Sequence, residues 1–399
     1  MRFILLCVLL MTVSCERKDQ PVSLPGSYSY DAQFLRKHTR QVIELADKAG
    51  EARVLLSAEY QGRVMTSSSG GDSGTSYGWL NYDLISAAEK KKQFNPVGGE
   101  ERFWLGPEGG QYSLYFHSRD SFKIENWQVP ALIDTITYEV TQSNATQATF
   151  SKKASITSYS GTRFDLHIER KISLLSKQET EAALRASLND SLNFVAYQTE
   201  NQVQNTGTEN WTKENGLLSI WLLGMFTPSE NTVVIIPFHP APDAKELIST
   251  DYFGEIPADR LTIKDSVLFF TCDGKYRSKL GLPPAIAKSV AASFDFQKNI
   301  LTVISFELTP NADYVNSKWE IQKEPYRGDA VNSYNDGPLA DGSQLGPFYE
   351  LESSSPALAL KAGETGSYKQ TTFHAEGDFE KLNELVQQLL GVDLNDLRK

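Results

Sequence analysis

From about residue 75 to residue 375 the chain alternates apolar and polar residues in short runs, and a period of two predicts strands. QYSLYFHS, TITYEVTQ, TQATFSKKASITS, FDLHIERKISLLS, FVAYQTENQVQN, LLSIWLLGMF, TVVIIPF, SVLFFTC, SVAASFDFQ and LTVISFELT are such runs. Turn residues separate them, as at Asn205-Thr206-Gly207 and Gln297-Lys298-Asn299, at the spacing of an antiparallel meander. No ten-residue helical pattern alternates with these runs, which argues against a parallel α/β sheet. Helical spacing shows at the two ends. Asp31 is placed to cap a helix whose stripe is Phe34, Leu35, Val42, Leu45 and Ala46, with Gly50 as its stop. FEKLNELVQQLLG puts Phe379, Leu382, Leu385, Val386, Leu389 and Leu390 on one helical face. The expected architecture is all-β: one large antiparallel β-sandwich over residues 31–399 with an N-terminal and a C-terminal helix, and no internal repeat or linker.

Phe3 to Val13, FILLCVLLMTV, is apolar, follows Arg2, and is too short to span a bilayer as a mature helix. Ser14-Cys15 ends it as a lipoprotein signal ends. The expectation is a signal peptide over 1–14, a lipid on Cys15, a polar tether to residue 30, and a place in the bacterial cell envelope; two acyl signals hold firmly to a membrane. A plain secretory signal is the alternative. Of three cysteines only Cys272 then remains as a thiol, so no internal disulfide is expected. A net charge of −11 argues against nucleic acid as a partner. No zinc, serine-hydrolase or nucleotide motif is present.

Five stretches are too aromatic, glycine-rich and polar for plain sandwich surface. YQGRVMTSS holds Arg63, and NPVGGEERFWLGPEGG holds Arg102, Trp104 and Glu108. A third contains Trp211 and Trp221, and a fourth, VNSKWEIQKEPYRGDAVNSYNDGP, contains Trp319, Asp329, Asn332, Asn335 and Asp336. The fifth, QLGPFYELESSSP, sets Glu350 and Glu352 two apart on one face of a strand. Acids that close raise each other's pKa, so one can keep its proton and donate. Trp104 and Trp221 are expected to stack on a sugar ring, with Trp127, Trp211 and Trp319 in the core. Arg63, Arg102, Glu108, Asn335 and Asp336 are expected to meet its polar groups, with Arg102 either binding an acidic sugar or neutralising Glu350 or Glu352. Asn332, Asn335, Asp336 and Asp341 form an oxygen-rich loop that suggests calcium, although NDG is also a hairpin turn. No other cofactor or metal is expected. Among the histidines, His239 at a strand end is the best-placed acid, against a structural reading.

QGRV, GGEERFWLGPEGG, GPFYELESSSP and LKAGETGSY resemble the galactose-mutarotase-like group, and more closely lipoproteins of that fold from Gram-negative gut and soil bacteria. The resemblance covers residues 31 to about 395. It implies a β-supersandwich with a sugar site on its concave face. Aldose 1-epimerases of this group use a carboxylate base and a histidine acid. Glu352, four residues before Pro356, matches the base, with Glu350 beside it. The strand matching the histidine position, GLLSIWLLGMF, carries Trp221 and no histidine. The reading is therefore a carbohydrate-binding protein with acid–base chemistry at the anomeric centre. A non-catalytic glycan-binding lipoprotein, a glycosidase using the Glu pair, and a structural lipoprotein with a vestigial cleft are the alternatives.

Overall fold

The computed structural model describes residues 23–87 and 89–398. The signal and lipidation expectations at residues 1–14 and Cys15 lie outside the described residues. Eighteen strands follow in chain order. They begin with β1 (Val42–Ala46), β2 (Arg53–Ser57), β3 (Arg63–Ser68), β4 (Arg102–Gly106), β5 (Glu139–Ser143) and β6 (Gln147–Thr157). Next come β7 (Arg163–Leu174), β8 (Asn193–Asn205), β9 (Ser219–Phe226), β10 (Thr232–Pro237), β11 (Leu261–Lys264) and β12 (Val267–Thr271). The last six are β13 (Ser278–Leu282), β14 (Val290–Asp295), β15 (Ile300–Phe306), β16 (Val331–Asn335), β17 (Tyr349–Ser354) and β18 (Thr365–Glu376). They form three antiparallel sheets: β1-β2-β3, a ten-stranded sheet β11-β12-β10-β14-β15-β18-β8-β7-β6-β5, and a five-stranded sheet β13-β16-β17-β9-β4.

One face of the five-stranded sheet packs on the ten-stranded sheet. Ser353 Oγ donates to Gln370 Oε1 at 2.7 Å, and Tyr349 and Ser293 hydroxyls meet at 2.7 Å. The Arg170 guanidinium lies over the Phe103 ring, 5.2 Å from its centroid. Because side chains alternate along a strand, the residues between these, including Glu350 and Glu352, face the other way. The opposite face of the ten-stranded sheet is covered by the helix Phe379–Leu390, whose Leu382, Leu385 and Val386 bury against Phe373, Ala375 and Val303. Each such side chain contributes about 1.5–3 kcal/mol by leaving water. The Asp378 carboxylate caps that helix by accepting from the Glu380 and Lys381 amides.

The N-terminal helix is shorter than its stripe suggested. It covers Tyr28–His38, and Thr39 then turns extended. Val42, Leu45 and Ala46 belong to β1, paired with β2, where β-branched and aliphatic residues suit a half-buried sheet equally well. The helix lays Tyr28, Ala32 and Leu35 against Leu55 and Met65 of the small sheet. QYSLYFHS is not a strand; its Tyr115 and Phe116 are buried in an irregular segment.

Candidate functional site

The face of the five-stranded sheet turned away from the ten-stranded sheet carries the charge. Cross-strand partners share a face, so register alone groups the residues. Tyr334 pairs with Lys279 and Glu350, Glu350 with Met225, Asn332 with Glu352, Glu352 with Leu223, and Leu223 with Arg102. Trp104 pairs with Trp221 one step further along. Strands distant in sequence thus bring Glu350, Glu352, Arg102, Trp104 and Trp221 together, as the sequence suggested. They also bring in Lys279, which the sequence reading missed.

At the floor, Glu352 is fully buried. Its Oε2 accepts from Lys279 Nζ at 2.9 Å and from Trp221 Nε1 at 3.0 Å. Its Oε1 is buried without a hydrogen-bond partner. The Lys279 ammonium sits between two rings, 5.0 Å from the Trp221 centroid and 5.6 Å from that of Tyr252. Burial pulls its pKa down, but Glu352 and Glu108 outweigh burial, and the pKa is raised. Glu350 is paired with Arg102. Burial and the neighbouring Glu352 push the Glu350 carboxyl up to about 8 against the lowering pull of Arg102. The Arg102 guanidinium in turn lies 4.7 Å from the Trp104 ring centroid.

Above this floor lies an accessible layer. Glu108 follows β4 on a loop docked against residues 317–322. Its amide donates to Ser317 Oγ at 3.1 Å, and Gln111 and Gln322 exchange side-chain-to-backbone hydrogen bonds at 3.0 Å. Gly109 belongs there because a Cβ would lie 2.3 Å from the Lys318 carbonyl. Glu108 is partly exposed. Burial raises its pKa and Glu352 adds to that, while Lys279 and the indoles of Trp319 and Trp127 lower it. Those two indoles are half-buried and stacked, with centroids 6.0 Å apart. On the other side, Asp329 accepts from the Tyr252 hydroxyl and, at 3.4 Å, from Asn332 Nδ2. Burial raises the Asp329 pKa, against the lowering effect of Tyr252 and Asn332. Gly281 leaves room for this pair, since a Cβ there would fall 2.1 Å from Asp329 Oδ2.

Several sequence expectations are corrected here. Glu350 and Glu352 are covered and ion-paired, Glu350 with Arg102 and Glu352 with Lys279. Trp104 and Trp221 are buried in the floor; the half-buried indoles are Trp127 and Trp319, which had been expected in the core. Trp211 is core, edge-on to Phe164. Arg63 is buried and donates to Gly98 O and Gln61 Oε1, a structural placement. Asn335 is on the opposite face of β16, accepting from the Gly274 amide and donating to Tyr276 O, while Asp336 accepts from Tyr334 and the Gly346 amide. Asp341 holds a turn with Ser343. The oxygens suggested for calcium are thus held by different partners. Among the described residues no three acid, histidine or cysteine side chains are grouped to hold a metal. His239 is exposed on the loop after β10 and makes no side-chain hydrogen bond to the floor acids.

No curated protein matches the chain in sequence. Several solved structures similar to it in fold are named for the group that the sequence motifs resemble. A putative aldose 1-epimerase from Escherichia coli K12 is 10% identical, with 84% of this chain and 98% of that chain covered and a TM-score of 0.49. A galactose mutarotase-like protein from Lactobacillus casei is 12% identical, with 84% and 99% covered and a TM-score of 0.46. A galactose mutarotase related enzyme from Lactobacillus acidophilus is 10% identical, with 84% and 97% covered and a TM-score of 0.45. The chain belongs to the family of unknown function DUF6786, whose match spans residues 26–399.

Proposed function

We propose that the outer face of the five-stranded sheet, with the loops that carry Glu108, Trp127, Trp319 and Asp329, binds a carbohydrate. The observation that carries this reading is the pairing of half-buried indoles, Trp127 and Trp319, with a partly exposed acid, Glu108, beside the held ammonium of Lys279. An apolar wall with a few fixed polar groups is what a pyranose needs: a flat face for its C–H bonds, and donors and acceptors for its hydroxyls. Lys279 is the donor, fixed by Glu352, and Glu108 and Asp329 are the acceptors. Isothermal titration calorimetry with a panel of hexoses tests the reading. The expected result is saturable binding that Lys279→Ala abolishes; no heat from any sugar at millimolar concentration refutes it.

A second reading, acid–base chemistry at the anomeric carbon, is favoured by one feature. Burial raises the pKa of both Glu108 and Asp329 above the ordinary carboxyl range, the direction a proton donor needs. Ring opening needs one group to take the anomeric hydroxyl proton and another to protonate the ring oxygen. Glu108 in its protonated form would be the acid and Asp329 the base; Glu352 and Glu350 would position Lys279 and Arg102. NMR exchange between anomers tests this, and an unchanged rate for every sugar bound leaves a non-catalytic binding protein. The same two carboxyls would serve glycoside cleavage, and product analysis on a glycoside panel separates the two.

We also place the chain at the cell envelope, anchored through Cys15. The support is the apolar run ending in Ser14-Cys15. Incorporation of labelled palmitate in expressing cells, lost in Cys15→Ser, is the expected result.

A further inference from the structure

The ladder between β5 and β6 stops early. β5 pairs only with Ala148 to Ser151, whereas β7 pairs with the whole of β6. Residues 152–157 therefore have a strand on one side only. On the other side every second one turns out its N–H and C=O, with no backbone partner among the described residues. The chain before β5 does not prolong the ladder: Tyr138 donates its amide to Ala58 O at 3.0 Å, and Ala131–Asp134 is a short helix. Between that segment and the free edge of β6 lies a cavity of about 410 Å³. Leu114, Phe116, Leu132 and Ile156 give it apolar walls, and Gln128 and Thr157 bring polar side chains to it. Apolar walls with a few polar groups, at this volume, are what a small-ligand site has. A second observation ties the cavity to the indoles beside Glu108. Phe116 packs edge-on against Trp319, with centroids 5.1 Å apart, and half-buried Phe122 packs edge-on against Phe116 at 5.0 Å. Trp127 and Trp319 are themselves stacked. Rings thus run contact to contact from the indole wall to the lining of the cavity, and Gln128 follows Trp127 directly in the chain.

We infer that this cavity is a second carbohydrate subsite, so that the protein binds an oligosaccharide rather than a single sugar. The inference rests on the carbohydrate reading above. A monosaccharide at the indoles leaves the cavity unused. A chain that stacks one sugar on Trp127 and Trp319 carries the next ones past Phe122 to the free edge of β6. There its hydroxyls, which both donate and accept, suit N–H and C=O groups that alternate along an open strand, and its C–H faces suit Leu114, Leu132 and Ile156. An extended peptide would also complete the edge, but only a sugar chain makes use of the rings that join the cavity to the wall.

The test is calorimetric titration of the wild-type protein with glucose, galactose and mannose, and with maltotetraose, cellotetraose, galactotetraose and mannotetraose. The expected result is at least a tenfold tighter Kd for one tetrasaccharide than for its own monosaccharide, equivalent to about 1.4 kcal/mol. Tetrasaccharides that bind no tighter than monosaccharides overturn the inference and leave the carbohydrate reading intact. Absence of binding by all of these sugars overturns both. Hydrogen exchange locates the gain: the tetrasaccharide is expected to slow exchange of amides within residues 152–157, and the monosaccharide is not. Saturation with the tetrasaccharide and no slowing there overturns the inference. So does slowing by an extended hexapeptide of alternating valine and threonine and by no tetrasaccharide, which assigns the cavity to a peptide. Ala154→Trp, which fills the cavity, is expected to cut the ratio of tetrasaccharide to monosaccharide affinity at least tenfold. An unchanged ratio in the folded variant overturns the inference; where that variant does not fold, the exchange measurement decides.

Discussion

Replacing Lys279 with methionine isolates the ion pair at the floor of the candidate site. Methionine keeps most of the aliphatic volume between Trp221 and Tyr252 and removes the charge. Glu352 is then left buried with the Trp221 N–H at 3.0 Å as its one remaining hydrogen-bond donor. Removing one partner of a buried pair typically costs about 3–5 kcal/mol, because an uncompensated charge stays behind. The orphaned carboxylate can escape by taking a proton. Starting from an ordinary glutamate pKa of about 4.3, that escape costs about 1.36 kcal/mol for each pH unit above it: about 1 kcal/mol at pH 5, 3.7 at pH 7 and 5 at pH 8. The loss of stability in Lys279→Met is therefore expected to grow with pH, from about 1 kcal/mol at pH 5 to about 4 or more at pH 8. Urea unfolding of both proteins at these values measures it. Adding Glu352→Gln removes the orphan and is expected to recover most of the loss at pH 8, since a buried pair replaced as a unit is often near neutral. A loss that is the same at pH 5 and pH 8, or a double variant no better than the single one, refutes this account of the floor.

Three further outcomes follow from other parts of the molecule. Stability is expected to fall as pH rises from about 5 to 8. Glu350 is pushed up to about 8 and Glu101 to about 7, both by burial, so over that window the folded protein holds protons the unfolded chain has released; a Tm that rises across the window contradicts this. Gly281→Ala places a Cβ on Asp329 Oδ2 and Asn332 Nδ2; a cost of about 1–3 kcal/mol is expected for the crowding, with loss of sugar binding in calorimetry because Asp329 is displaced. Asp378→Ala removes two hydrogen bonds at the start of the last helix and is expected to cost about 1 kcal/mol in urea unfolding, with ligand affinity unchanged because that helix lies behind the ten-stranded sheet.

The strands were the most legible part of the chain. FDLHIERKISL alternates so cleanly that β7 shows one buried and one half-buried residue in turn. What alternation does not reveal is where a helix stops: Val42, Leu45 and Ala46 continue the helical spacing of Phe34 and Leu35, and only pairing with β2 makes them a strand. In the site, the acids and indoles drew notice because they sit in glycine-rich aromatic stretches. Lys279 did not, because in SKLGL a lysine between apolar neighbours looks like any solvent-facing strand position. Its importance comes from its partner β16, which places it two strands away from β17 and within reach of Glu352. Which tryptophan is floor and which is wall was equally hidden. That depends on whether the residue is in a strand, as Trp104 and Trp221 are, or on a loop folded over it, as Trp127 and Trp319 are.

The two faces of the five-stranded sheet use charge differently, and the contrast bears on function. Between the sheets, Glu101 accepts from Arg170, Thr199 and Gln370, and Glu100 accepts from Ser67 and shares a hydrogen bond with His374. Each charged side chain there has its polar atoms matched, as a network that only holds two sheets together should. On the outer face the charged groups are less completely matched. Glu352 Oε1 and Arg102 Nε have no partner although both are buried. Burying an acceptor and a donor unmatched costs about 1–3 kcal/mol each. Glu352 Oε1 and Arg102 Nε lie on the face that also carries the partly exposed acids and indoles, while the buried Tyr197 and Tyr368 hydroxyls are unmatched between the sheets; on the outer face a ligand that reorganises the floor would recover stability. Ligand-induced stabilisation is the measurable consequence. At a sugar concentration of 100 times Kd, unfolding free energy is expected to rise by about 2.7 kcal/mol. That gain should vanish in Lys279→Met, where the donor is gone, and persist in Asp378→Ala, where the outer face is untouched; a gain retained in Lys279→Met would move the binding site away from this face.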